Sequence, residues 1–138
     1  MNYASESATG LSPIGLVIRL YENIVSDLGR AVLAVRDGDI EKRTAQLQHA
    51  LLLIAHLQSA LDMENGGDPA CLLDKFYSIA RARMVEAQIR QSGKILEEVS
   101  RDFLSLRDAW AQIESQQAVT ADPPATESTS DSHASWVA

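Results

Sequence analysis

The chain is expected to fold as an all-α, antiparallel up-down four-helix bundle. Three observations carry that expectation. Apolar residues recur at alternating spacings of 3 and 4 in several stretches, as on one stripe of a helix. Apolar residues make up 46% of the chain but aromatics only 5%, so the core must be built mainly from Leu, Ile, Val and Ala. Helix stop and start signals also sit close together between the periodic stretches, and short turns between long helices make neighbours antiparallel.

The first helix is expected to start at Ser12-Pro13: Ser can cap free amides, and Pro suits the first helical position. Val17, Tyr21, Ile24, Leu28, Ala31 and Val35 form its seam. Asp37-Gly38-Asp39 closes it, with Gly38 suited to a left-handed cap and Asp39 to capping the next helix. The second helix runs from about Ile40 to Leu61 with Leu47, Leu51, Ile54 and Leu61 on its seam. Asn65-Gly66-Gly67-Asp68-Pro69 reads as a turn in which Asp68 caps and Pro69 opens the third helix. That helix carries Leu73, Tyr77, Ala80, Met84 and Ala87, and breaks near Ser92-Gly93. Leu96, Val99, Phe103, Leu106, Trp110 and Ile113 make the fourth seam, with Trp110 expected in the core.

Three regions follow from this reading. Residues 1–11 form a flexible N-terminal arm, residues 12–116 the bundle, and residues 117–138 a disordered tail. The tail holds Pro123-Pro124, seven Ser or Thr, three acids and no Lys or Arg, too little apolar area to offset its chain entropy. Trp136 stands out in it, as a chance residue or a partner-binding anchor.

Charge and composition exclude several function classes. A net charge of −7 argues against nucleic-acid or anionic-membrane binding. The longest apolar run, Ala50 to Ala55, is far shorter than the ~18 residues of a membrane span. No secretory leader is evident at Met1–Glu6, so a cytosolic protein is expected. Di-iron bundles need Glu-x-x-His pairs, but His49 and His56 are preceded three residues earlier by Gln46 and Leu53. The two histidines are seven residues apart, about 10 Å along a helix, too far for one metal ion. Cys71, in the first turn of the third helix, has no second Cys with which to pair. No enzyme, metal or cofactor is expected.

Two surface features remain. Lys75, Arg81, Arg83, Arg90 and Lys94 make the third helix locally basic, either as a solvated face or as a docking patch for an acidic partner. The first two helices also carry apolar residues beyond their seams: Leu16, Ile18, Leu20, Val25 and Val32 on one, Leu52, Leu53 and Leu57 on the other. A widened core stripe absorbs part of that set; the rest can form grooves that receive partner helices.

Ser12-Pro13 leading to Leu20-Tyr21, then Ala50, Leu53-Ile54, Leu57 and Leu61-Asp62, then Leu73, Phe76-Tyr77 and Glu86-Ala87, then Glu98-Val99 and Leu106-Arg107-Asp108-Ala109-Trp110 appear in order. Over about residues 12–113 the chain thereby resembles the FliS family of flagellar secretion chaperones. It departs from the family pattern at Gly10-Leu11, Glu22-Asn23 and Ser78-Ile79. The resemblance implies a cytosolic export chaperone whose apolar grooves hold the C-terminal segment of flagellin, preventing premature polymerisation. It implies partner contacts at Tyr3, Leu16, Leu20, Tyr21, Leu53, Leu57, Leu61, Leu73 and Tyr77. Tyr3 belongs to an arm that can cover the groove when it is empty. Tyr21 and Tyr77 can equally be interior residues with satisfied hydroxyls. An export-gate component is a further expected partner, and the chain is expected to be a monomer or weak homodimer. The competing reading is a self-associating structural bundle with no flagellin client.

Overall fold

The computed structural model describes residues 11–120. They form four α-helices: α1 (Pro13–Asp37), α2 (Ile40–Ser59), α3 (Gly67–Arg90) and α4 (Gly93–Thr120). The expected all-α four-helix architecture is what is found. The arm, most of the tail, Tyr3 and Trp136 lie outside the described residues.

Local chemistry sets both ends of α1 and the start of α2 as read from the sequence. The Ser12 hydroxyl accepts from the Gly15 amide at 2.9 Å, and it donates to Glu114 at 2.8 Å. One side chain thus caps α1 and ties its start to the end of α4. Gly38 closes α1 at φ 68°, a left-handed conformation open to Gly at little cost, with its N–H directed at the carbonyls of Ala34 and Val35. Asp39 then caps α2 by accepting from the Lys42 amide at 3.0 Å.

The start of α3 departs from expectation. Asp68 and Pro69 lie inside the helix, and Gly66 occupies the cap position without a side-chain bond. The Asp62 carboxylate accepts from the Asn65 amide and the Asp62 carbonyl from the Gly66 amide, a turn that delivers the chain into the helix ahead of Asp68. Pro69 is tolerated there because first-turn amides have no intrahelical acceptor to lose. α2 ends at Ser59, before Leu61, although Leu61 still folds into the core. Between α3 and α4, Gln91 adopts a left-handed conformation at φ 54° and Ser92 accepts from the Ile95 amide. α4 continues through Thr120, past Gln116, where the composition changes.

Short connections turn each helix back on the one before it, and cross-helix bonds tie the neighbours together. Arg30 meets Gln46 and Asp27 meets His49 between α1 and α2. Gln58 donates to Asp74 and Ser78 between α2 and α3. Arg83 meets Glu98 between α3 and α4, and Arg107 meets Glu22 between α4 and α1. α1 packs most extensively, on α4 and α2, whereas α3 packs more thinly on its two neighbours.

The core follows the 3–4 periodicity with local shifts. Ile24, Leu28, Leu47, Ile54, Met84, Leu96, Val99 and Phe103 are fully buried, and Trp110 joins them as expected. Val35, Leu51 and Leu106 are only half-buried at its margin, and Ile113 is exposed. Ala50 and Leu57 take the interior of α2 in place of Leu51. The expected seam drifts because a straight helix repeats every 3.6 residues, whereas a strict 3–4 alternation assumes 3.5.

Candidate functional site

Two polar clusters inside the bundle decide which side chains remain for the surface. The first lies at the crossing of α1, α3 and α4. The Tyr21 and Tyr77 hydroxyls meet at 2.7 Å, and the Trp110 indole N–H donates to Tyr21 at 3.2 Å. The rings continue into an edge-to-face cluster: Tyr21 on Phe103 at 5.3 Å, and Phe103 on Phe76 at 5.0 Å. Burial pushes both phenols above their ordinary range; the Tyr77 and Trp110 contacts partly offset this at Tyr21, while the Tyr21 contact adds to it at Tyr77.

The second cluster is a buried carboxylate between α1 and α2. Asp27 is 1% exposed, and its two oxygens accept from Arg30 at 2.6 Å and meet His49 Nδ1 at 2.5 Å. His49 is therefore committed to a structural contact. Among the described residues, no three His, Cys, Asp or Glu side chains come together as a metal-binding group. Cys71 is exposed.

These clusters divide the expected partner-contact residues. Tyr21, Leu57, Leu61, Leu73 and Tyr77 are at most 9% exposed and belong to the core. For the tyrosines the reason is chemical: each hydroxyl satisfies the other, so neither has to reach solvent. For the three leucines it is the helical period, which places them on the inward stripe of α2 and α3 or just beyond it. Leu16, Leu20 and Leu53 retain solvent-facing surface, with Leu16 42% exposed.

Those three lie along the α1/α2 side of the bundle. The Asp27–His49 and Arg30–Gln46 pairs set the α1/α2 register. Each step toward the start of α1 is matched by a step toward the end of α2, so Asn23 comes level with Leu53, Leu20 with His56 and Leu16 with Ala60. Beside this line, Leu52, 66% exposed, joins Leu53, Ala55, His56 and Ser59 around a concave surface.

Further exposed apolar side chains, absent from the sequence reading, lie along α3. Leu72, Ile79 and Ile89 are 66%, 60% and 77% exposed. Their signal was available: Leu72 and Ile79 are seven apart, and both are off the Leu73–Tyr77–Met84 seam. Neighbouring seam positions masked it, because adjacent leucines such as Leu72 and Leu73 read as one apolar run. The basic character of α3 is largely absorbed by neighbours: Arg81 donates to Gln58, Arg83 to Glu98, and Arg90 pairs with Glu86. The Arg83 bond, foremost among several causes, holds the Glu98 carboxyl below its usual range.

A four-helix bundle with uncovered apolar surface on α1, α2 and α3 has the form of a protein that can hold another polypeptide. The sequence comparisons specify which. The profile of the FliS family, described as flagellar protein FliS, matches residues 1–117, and the chain belongs to that family. It is 32% identical over 103 residues to the flagellar secretion chaperone FliS of Salmonella typhimurium, spanning 74% of this chain and 76% of that one. It is 29% identical over 119 residues to the FliS of Campylobacter jejuni, spanning 86% and 93% respectively. Similarity to the FliSB of Pseudomonas aeruginosa reaches 31% over 102 residues. The family is one of chaperones and not of enzymes. No helix among the described residues is long and apolar enough to cross a membrane.

Proposed function

We propose that this chain is a cytosolic flagellar export chaperone that holds the C-terminal segment of flagellin as helices laid against its apolar strips. The observation that carries this reading is uncovered apolar surface on a member of a secretion-chaperone family: Leu16, Leu20, Leu52 and Leu53 on the α1/α2 side, and Leu72, Ile79 and Ile89 on α3. A client that folds on binding must offset its ordering entropy by burying a large apolar area, and two separated strips suit a segment that wraps the bundle. The core residues Tyr21, Leu57, Leu61, Leu73 and Tyr77 back the contact surface from beneath. Tyr3, outside the described residues, is a further client contact in this reading, and an export-gate component receives the loaded chaperone.

Titration with the last forty or so residues of a candidate flagellin tests the reading. A gain in helicity with a negative heat-capacity change is expected. Leu16→Asp with Leu53→Asp weakens binding by roughly 10- to 100-fold, since both leucines are already partly buried and each gains only about half of the ~1.5–3 kcal/mol of full burial. Absence of binding at tens of micromolar, with a concentration-dependent dimer in ultracentrifugation, would instead favour the self-associating bundle.

A further inference from the structure

We infer that the outward face of α3 pairs with the same face of a second copy of this chain, the two helices antiparallel about a twofold axis. α3 carries a periodic stripe on each of two sides. Leu73, Tyr77, Ala80, Met84 and Ala87 are its buried stripe. On the far side Leu72, Lys75, Ile79, Ala82, Glu86 and Ile89 recur at spacings of 3, 4, 3, 4 and 3. All but Glu86 are exposed, and the Glu86 side chain keeps 42% of its surface. Such a spacing directs a seam at one neighbouring helix. Its drift of about 20° per heptad is taken up when two helices cross at a shallow angle.

The order of residue types along the stripe selects the occupant. It runs Leu, Lys, Ile, Ala, Glu, Ile, and laid against its own reverse each position meets a complement. Leu72 meets Ile89 of the second copy, Lys75 meets Glu86 and Ile79 meets Ala82, and the twofold axis repeats each contact. Among the described residues Lys75 enters no ion pair within its own chain, so the second copy supplies its carboxylate. Glu86 lies 3.4 Å from Arg90 in an exposed contact that a further cation can join. The small Ala82 leaves room for the larger Ile79 of the other copy, as a knob enters a hole in a helix seam. A parallel pairing would instead set Lys75 on Lys75 and Glu86 on Glu86, and like charges across a seam repel.

The size of the contact sets its strength. From Leu72 to Ile89 the stripe is about 26 Å long, so one helix pair makes an interface at the small, transient end of the range. The dimer is therefore weak, half-formed at a concentration on the order of 10–100 μM. α3 is also the helix that packs most thinly on its neighbours, so a second copy adds packing where the bundle has least. In one respect the inference rests on the function proposed above. Leu72, Ile79 and Ile89 are offered to the client there, so self-pairing covers them until a client displaces the second copy.

Sedimentation of the full chain over a range of concentrations tests the pairing, and wild type is expected to show a monomer–dimer equilibrium. Lys75→Glu sets carboxylate against carboxylate at both ends of the seam and should weaken the dimer roughly tenfold; Glu86→Lys should do the same with two cations. The double variant Lys75→Glu/Glu86→Lys restores opposite charges at both positions, as does an equimolar mixture of the two single variants. Each should return the dimer to within about threefold of wild type, and weakening followed by this rescue belongs to the antiparallel register. Ala82→Glu puts a charge at the centre of the seam and should leave a monomer with unchanged circular dichroism, since Ala82 is exposed. The flagellin peptide should convert the wild-type dimer to a one-to-one complex. A chain that stays monomeric throughout, a dimer indifferent to Lys75→Glu and Ala82→Glu, or a failure of the mixture and the double variant to restore it would overturn the inference. So would a monomer that dimerises only after deletion of residues 121–138, which would give the stripe to that segment. A dimer that passes the charge tests without affinity for the flagellin peptide would uphold the pairing and defeat only the flagellin reading.

Discussion

The Tyr21 hydroxyl is the node of the interior polar network, and substituting it should cost more than substituting its partner. It meets both the Tyr77 hydroxyl at 2.7 Å and the Trp110 indole N–H at 3.2 Å. Tyr77 is 1% exposed and Tyr21 is not exposed at all, so neither hydroxyl can turn to water when its partner is lost. Tyr21→Phe removes two buried hydrogen bonds and strands the Tyr77 hydroxyl. At about 0.5–1.5 kcal/mol for each bond and 1–3 kcal/mol for a stranded buried group, the loss should be roughly 2–4 kcal/mol. Tyr77→Phe removes one bond and leaves Tyr21 still accepting from Trp110, so about 1 kcal/mol is expected. The double variant strands no Tyr77 hydroxyl, and its cost should fall below the sum of the two singles. Urea unfolding followed by far-ultraviolet circular dichroism, arranged as a double-mutant cycle, measures all three. With a slope of about 1–3 kcal/mol per molar urea, the difference between the singles displaces the midpoint by roughly 0.5–2 M. Equal losses from the two singles, or strict additivity in the double, would refute the network as the source of stability at this crossing.

Further expectations rest on other sites. Asp27→Ala removes a buried carboxylate that holds Arg30 and His49, and should cost about 1–3 kcal/mol in the same unfolding assay, because both released partners can hydrate. Gly38→Ala forces a side chain into a conformation at φ 68° and should lower stability by about 1 kcal/mol, read as a drop in thermal midpoint. Both interior phenols are raised above the ordinary value of 10.0, so the folded state resists their ionisation. Their contribution is complete below the unfolded-state value and is lost as pH rises above it, so unfolding should steepen on the alkaline side together with the appearance of phenolate absorbance. Glu98 is shifted the other way, so its contribution is present above the ordinary carboxylate range and lost on acidification; Arg83→Ala should flatten that acid limb.

Much of the fold was legible because its determinants are local. As caps, Ser12, Gly38 and Asp39 act on atoms within four residues of themselves, so those roles can be read from the order of residue types. The seam of α4 likewise depends on helical periodicity, and Trp110 was placed inside from its position alone. Asp68-Pro69 misled because the Asp62–Asn65 turn, not the cap motif, sets where the chain enters α3. The candidate surface was less legible. Leu16, Leu20 and Leu53 are distinguished from Leu57, Leu61 and Leu73 only by the helix–helix register and by where the chain leaves α2, which depend on contacts such as Asp27–His49 across 22 residues.

The sequence by itself determined an all-helical chain of four segments, both ends of the first helix and the start of the second, most of the inward stripe and the family resemblance. All of these follow from capping chemistry and a 3.6-residue period, which act over one or two turns. Only the tertiary structure decided that Tyr21 and Tyr77 face each other across 56 residues, that Asp27 is buried, and that Leu72, Ile79 and Gly29 face outward. A helix can turn any side of its circumference toward the core, and which side it turns is settled by the helices it packs against.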